Sequence, residues 1–480
     1  MQSGPDRRGE RELSIPVRAA RGQPRLAGRF PDDVSPTAEC PVNPLFRQQA
    51  QAFYRSVTPA ERRRIREAEQ RRRRYGSLLI ILALLCVTLV AFALAPNSAG
   101  ATNADGPCPV DLRSEIDQLP HQDVLRYAKP GPYAAGVRTA TLGGLPVEVW
   151  YPADPCSLVP LNRDVYDVRE WVPTWAEKLL DQLIGPFDST VTTNAFRDLP
   201  PAPGQHPWTF MIHGFPSYRN QSTVLTSHLA SWGYVVISPD RTKGNLPALL
   251  NGKILGAITG VAQVDDLLRL MDDLRAQAAT PGNFFNSTMD ISNGAAIGHS
   301  WGGYTTGGLA GLPEIKATIP LAPAGRMRAA DSVSAAAAMQ SSTADKPVLF
   351  ITGSDEAWVS DLFVSEAIRL EQAPIGQIDL LGGGHLSFTD LCAVGGEGIW
   401  RIMNRLPLIP DSLLTPLLGD GCVPSDLDYM SAYAVTADAS VALLEAVLKG
   451  DASAWSAFDE LNALPFVVQP YRLDPASVGG

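Results

Sequence analysis

Cysteine is scarce in this sequence and never clustered: there are six in 480 residues, with no C-x-x-C pair and no Cys/His grouping. Zinc ribbons and redox motifs need such spacing, so neither a metal site nor a cofactor is expected. Internal repeats are lacking, which excludes solenoids and propellers. Low complexity is confined to 335–338, and with 45% hydrophobic and 19% charged residues most of the chain is expected to fold. Lysine is absent from residues 1–76, and charge of either sign is absent from 77–95.

The last two absences divide the chain. Residues 1–76 hold 17 Arg against 9 Asp and Glu, a net of +8, whereas the remainder is net −18. The uncharged run 77–95 has nineteen residues, enough at ~1.5 Å each to cross the ~30 Å hydrocarbon core of a bilayer. Arg71, Arg72, Arg73 and Arg74 precede it directly, so the positive-inside rule keeps the N-terminus cytoplasmic and exports the chain beyond residue 95. Two fates are open: a retained signal-anchor, favoured by the long leader, or cleavage at the A-x-A site Ala99-Gly100-Ala101, giving a secreted chain. The leader mixes acids among its arginines and has few aromatics, so it reads as a disordered cytoplasmic tail with no nucleic-acid partner. Four of the six cysteines (Cys108, Cys156, Cys392, Cys422) lie beyond the apolar run, where an oxidising compartment permits disulfides. Sequence proximity pairs Cys108 with Cys156 and Cys392 with Cys422, one of three possible pairings.

In the exported part, strand-like sequence runs over 135–151, with Val147, Val149 and Tyr151 on one face and Glu148 and Trp150 on the other, as near a sheet edge. An irregular stretch, 152–204, holds a helical patch at 175–184. Strands are then expected at 208–212, 234–238, 294–297, 317–321 and 348–352, alternating with helices at 222–232, 261–278 and 301–310. Short apolar strands between amphipathic helices mean β-α-β units and a largely parallel sheet covered on both faces, an α/β fold. Val264, Leu267, Leu268, Met271 and Leu274 have the spacing of one buried helix face. The expected organisation is a tail (1–76), membrane helix (77–95), linker (96–125), α/β domain (126–460) and C-terminal tail (461–480). Residues 393–427, rich in Leu, Pro and Gly, form either part of a lid or a disulfide-tied surface insertion.

The chemistry centres on Gly298-His299-Ser300-Trp301-Gly302, a G-x-S-x-G sequence set between a short strand and a helix. That is the setting of a nucleophile elbow, in which the serine sits on a strained turn and the helix N-terminus aims its amides at developing negative charge. A serine nucleophile needs a base, and the chain order in such sites is serine, acid, histidine. Of the six histidines (His121, His206, His213, His228, His299, His385) only His385 follows Ser300, in the glycine loop Gly382-Gly383-Gly384. The acid belongs at the end of strand 348–352, where Asp355 and Glu356 are equal candidates and Asp331 a distant third. Two oxyanion donors are expected, the backbone N–H of Trp301 after the nucleophile and that of Phe215 in the loop His213-Gly214-Phe215. His213 is expected to brace that loop, and His299 to pack beside the elbow.

On Phe210-Met211-Ile212-His213-Gly214-Phe215, Gly298-His299-Ser300-Trp301-Gly302-Gly303 and Gly384-His385-Leu386-Ser387-Phe388-Thr389-Asp390, the chain from about Arg138 to Asp451 resembles the α/β-hydrolase superfamily. Within it, the likeness is nearest to platelet-activating-factor acetylhydrolase, dienelactone-hydrolase-like esterases and cutinase-type polyester hydrolases. The resemblance implies an α/β-hydrolase fold and a serine esterase working through an acyl-enzyme. Relatives of the acetylhydrolase type often carry their acid after the strand that follows the elbow helix. Here that strand ends Leu321-Ala322-Pro323-Ala324-Gly325, without an acid, which returns the assignment to Asp355 and Glu356. The expected substrate is an acyl or lipid ester. Acyl transfer to an alcohol would use the same residues, and a non-catalytic envelope-binding module is the alternative of another class.

Overall fold

The computed structural model describes residues 112, 118–155, 162–251, 261–324, 346–357, 364–365, 367–368, 373–396, 398–405 and 419–478. The leader, the apolar run 77–95, the Cys108–Cys156 pairing, Asp331 and segment 406–418 all lie outside them.

β1 (Ala134–Leu142) and β2 (Leu145–Ala153) pair antiparallel through a turn at Gly143-Gly144. A single strand was expected here; the two glycines divide it, because their φ of 58° and 79° make a tight hairpin without strain. β2 is also no edge strand, since β1 and the later strand Val235–Pro239 flank it, both antiparallel to it. Its polar face misleads: Trp150 on it is buried in the core, and Glu148, also buried, pairs with Arg197 and, at 3.2 Å, with Arg219. The stretch expected to be irregular contains two further strands, β3 (Arg163–Asp167) and β4 (Thr190–Arg197), either side of helix α1 (Thr174–Ile184). They pair antiparallel, and β4 adds in parallel to β1.

The parallel centre comprises β5 (His206–Ile212), β6 (Val235–Pro239), β7 (Met289–His299), β8 (Ile315–Leu321), β9 (Val348–Gly353) and β10 (Ile375–Leu380). With β11 (Val467–Tyr471) paired antiparallel to β10, the order among the described residues is β11-β10-β9-β8-β7-β5-β6-β2-β1-β4-β3. The segment expected as a C-terminal tail thus supplies an edge strand. Helices α2 (Thr223–Ser231), α3 (Val261–Ala278) and α4 (Trp301–Leu309) connect the parallel strands. Val264, Leu267, Met271 and Leu274 of α3 are buried, as their spacing predicts, each side chain contributing ~1.5–3 kcal/mol, while Leu268 at the margin of that face is only partly buried. The other face is covered by α2 and by α5 (Tyr429–Leu448). α5 is long and apolar enough to cross a membrane, yet most of it is buried in the domain, with Val435, Ala439 and Leu443 inside the core cluster. It is read as a core helix.

Cys392 and Cys422 form a disulfide that closes a 30-residue separation. Loop-closure entropy for that length is worth ~3–4 kcal/mol. Val394, Ile399 and Ile402 within the closed segment pack with Tyr166, Trp171 and Tyr218, so its described part is anchored to the β3–β4 region.

Candidate active site

Ser300 lies between β7 and α4 with φ 55° and ψ −119°, a backbone state that L residues rarely adopt. Three backbone bonds hold it there: Ser300 N–H to Leu321 O, and Ala324 N–H and Tyr304 N–H to Ser300 O. The elbow glycines are fixed by close approach. A Cβ at residue 298 would stand 2.4 Å from the Gly302 backbone, and one at 302 would stand 2.0 Å from Ile212 O. The turn therefore packs strand on helix with no room for a side chain.

His385 follows β10 and the loop 381–384. Its Nε2 lies 2.8 Å from Ser300 Oγ and its Nδ1 3.3 Å from Glu356 Oε2. The carboxylate accepts Nδ1–H, which leaves the Nε2 lone pair facing Ser300 Oγ. The His385 and Glu356 side chains are almost wholly buried, and Glu356 Oε1 also accepts Gly353 N–H at 3.0 Å. Asp355 is not brought to this site. It is exposed, and its carboxylate accepts Ser354 Oγ–H at 2.7 Å. Among the described residues the N–H groups of Trp301 and Phe215 have no protein acceptor, and Gly214 abuts Ser300: a Cβ there would lie 3.1 Å from Ser300 Cβ.

His299 and His213 are both buried and both hold backbone. His299 donates from Nε2 to His385 O and accepts at Nδ1 from Gln221 Nε2, each at 2.8 Å. Gln221 Oε1 in turn accepts Gly214 N–H at 2.9 Å. One amide and one imidazole thus tie together the 213–215 loop, the elbow and the histidine loop. Burial, then the neighbouring His385, push His299 well below the usual histidine range, so it stays neutral. His213 donates from Nδ1 to Gly214 O at 2.7 Å.

Sequence reasoning named neither Gln221 nor Asp420. Asp420 Oδ2 accepts Ala357 N–H at 2.9 Å, while its backbone carbonyl accepts Leu386 N–H at 2.8 Å. It therefore joins the loop carrying Glu356 to the loop carrying His385. The expected Cys392–Cys422 pairing was the available signal, since it brings residue 420 to the histidine loop.

Burial raises the Asp420 carboxyl to about 6, with His385 and two backbone N–H donors pulling the other way. Because the folded value exceeds the unfolded one of about 3.9, folding takes up a proton between them. The stability this confers is complete below about pH 4 and lost as pH rises through about 6. Wild type is expected to lose up to ~3 kcal/mol relative to Asp420→Asn across that window. Urea midpoints of both proteins from pH 4 to pH 8 check this; a constant difference would contradict it.

Among the described residues no three His, Cys, Asp or Glu side chains converge as a metal site. No protein-family model matches the chain, and no curated protein matches it in sequence. Among solved structures it is similar to a ferulic acid esterase from Streptomyces cinnamoneus, at 20% identity and a TM-score of 0.43, over 66% of this chain and 91% of that one. The order β1-β2-β6-β5-β7-β8-β9-β10, with β2 antiparallel to its neighbours and a strained serine between β7 and α4, makes a mixed α/β sheet with helices, consistent with an α/β-hydrolase fold.

Proposed function

We propose that this protein is an exported serine hydrolase that cleaves carboxylic esters through an acyl-enzyme. The observation that carries the reading is the buried chain of bonds from Ser300 Oγ through His385 to Glu356. Ser300 attacks the ester carbonyl as His385 Nε2 takes its proton, and Glu356 holds the imidazole by Nδ1 and stabilises its charge. The N–H groups of Trp301 and Phe215 receive the oxyanion. His385 then protonates the departing alcohol and later activates the water that releases the acid. Acyl or lipid esters suit an enzyme tethered beside a bilayer by 77–95, with residues 1–76 inside the cell and the domain outside. The disulfide fits that oxidising location.

A fluorophosphonate probe tests the mechanism, and a p-nitrophenyl ester series of graded chain length tests the substrate class. Wild type is expected to label once, at Ser300, and to hydrolyse the esters. Absence of wild-type labelling, or equal labelling of Ser300→Ala, would sink the proposal.

A further inference from the structure

Arg241, two residues beyond β6, is wholly buried behind the loop that carries Phe215. Its Nη2 donates to His213 O and, at 3.1 Å, to Gly214 O. Gly214 O has a second donor in His213 Nδ1–H at 2.7 Å. That carbonyl belongs to the same peptide unit as Phe215 N–H. Donors on an amide oxygen withdraw electron density across the C–N bond, leaving the N–H more positive and a stronger donor. A buried guanidinium also acts through low dielectric, so its field at the site is weakly screened. Burial pushes Arg241 down to about 9, with Asp266 and Asp240 favouring its charge, so it is cationic at neutral pH. His213, desolvated and beside that cation, is held well below the usual histidine range and stays neutral.

We propose that Arg241 is an electrostatic positioning residue, which polarises the 214–215 peptide so that Phe215 N–H binds the oxyanion formed at Ser300 more strongly than the ester carbonyl. The inference rests on the serine-hydrolase reading of the site. Negative charge appears on the carbonyl oxygen only as Ser300 adds, so the effect falls on kcat and spares KM. A merely structural role, pinning two carbonyls of a turn, would not depend on whether the ligand carries that charge.

The test compares two inhibitors with the same acyl chain in wild type, Arg241→Gln, Arg241→Lys and His213→Leu. An alkyl trifluoromethyl ketone forms a Ser300–carbon bond, passes the serine proton to His385 and leaves an oxyanion. The matching methyl ketone stays largely unadded and uncharged. Removing a direct oxyanion donor costs about 10²–10³ in kcat, so Arg241→Gln, acting through a peptide, should lose about 10- to 100-fold. KM should change less than about threefold, and trifluoromethyl ketone affinity should fall in step with kcat, on the same scale. Methyl ketone affinity should hold, and Arg241→Lys should recover most of the loss. His213→Leu, which removes one donor from Gly214 O and leaves the cation, should show the same pattern several-fold weaker; it carries the test if Arg241→Gln does not fold. Unchanged kcat in the folded variant, or equal weakening of both ketones, overturns the inference. A wild type that neither turns over esters nor binds the trifluoromethyl ketone through Ser300 overturns the parent reading instead.

Discussion

Glu356→Gln is expected to lower kcat about 10⁴-fold at neutral pH, and Asp355→Asn to leave it within about twofold. The two acids are adjacent in sequence, yet only Glu356 reaches His385, at 3.3 Å, while Asp355 turns outward onto Ser354. Glutamine keeps the shape and can still accept Gly353 N–H through its oxygen. Its amide N–H would then face His385 Nδ1, favouring the tautomer with the proton on Nε2. That tautomer cannot take the proton of Ser300, and no negative charge remains to stabilise the imidazolium. KM should stay close to wild type because the lost interaction matters only once the histidine is charged. Steady-state kinetics on a short-chain p-nitrophenyl ester, with thermal melts to establish folding, check both arms. A loss below about tenfold in Glu356→Gln, or an equal loss in Asp355→Asn, would refute the assignment.

The elements that place Ser300 were legible because their signals are local. Strands β5, β6, β8 and β9 are short and largely apolar, the end of β7 before the elbow is buried, α3 shows its buried spacing, and the elbow is a contiguous motif. His385 followed from elimination, since no other histidine comes after the serine. What escaped depends on contacts distant in sequence. The alternation of β2 resembled an exposed edge because nothing local shows that Arg197 and Arg219 neutralise buried Glu148. β3 and β4 are polar and short, and they become strands by pairing with each other and with β1. Asp355 and Glu356 could not be separated, because the direction of a side chain at a strand end is set by what it meets. Gln221, Arg241 and Asp420 act on backbone groups 7, 28 and 63 residues away, a relation no single-chain pattern encodes.

Gly302→Ala is expected to cost more than ~3 kcal/mol and to leave little folded enzyme, whereas Gly308→Ala should cost ~1 kcal/mol or less. Both glycines lie in α4, and helix propensity favours alanine at each by up to ~1 kcal/mol. The difference is the atom that the new methyl meets. At 308 the nearest atoms are side chain, Val264 Cγ2 at 2.7 Å and Cγ1 at 3.1 Å, and α3 can shift outward by a fraction of an ångström to admit the methyl without moving β5. At 302 it is Ile212 O at 2.0 Å, with His213 O at 2.7 Å, both backbone atoms of β5 and the loop after it. Relief there requires β5 and α4 to separate. That movement would carry Ser300 away from His385, and even a 1 Å misplacement of reacting groups can cost about 10²-fold in rate. Any folded fraction of Gly302→Ala should therefore also be slow, while Gly308→Ala should keep wild-type kcat. Urea midpoints of the two variants, with kcat per fluorophosphonate-titrated site, measure both effects. Equal destabilisation of the pair would mean that the elbow yields as readily as a side-chain contact between helices, and that the close packing of β5 against α4 does not hold Ser300.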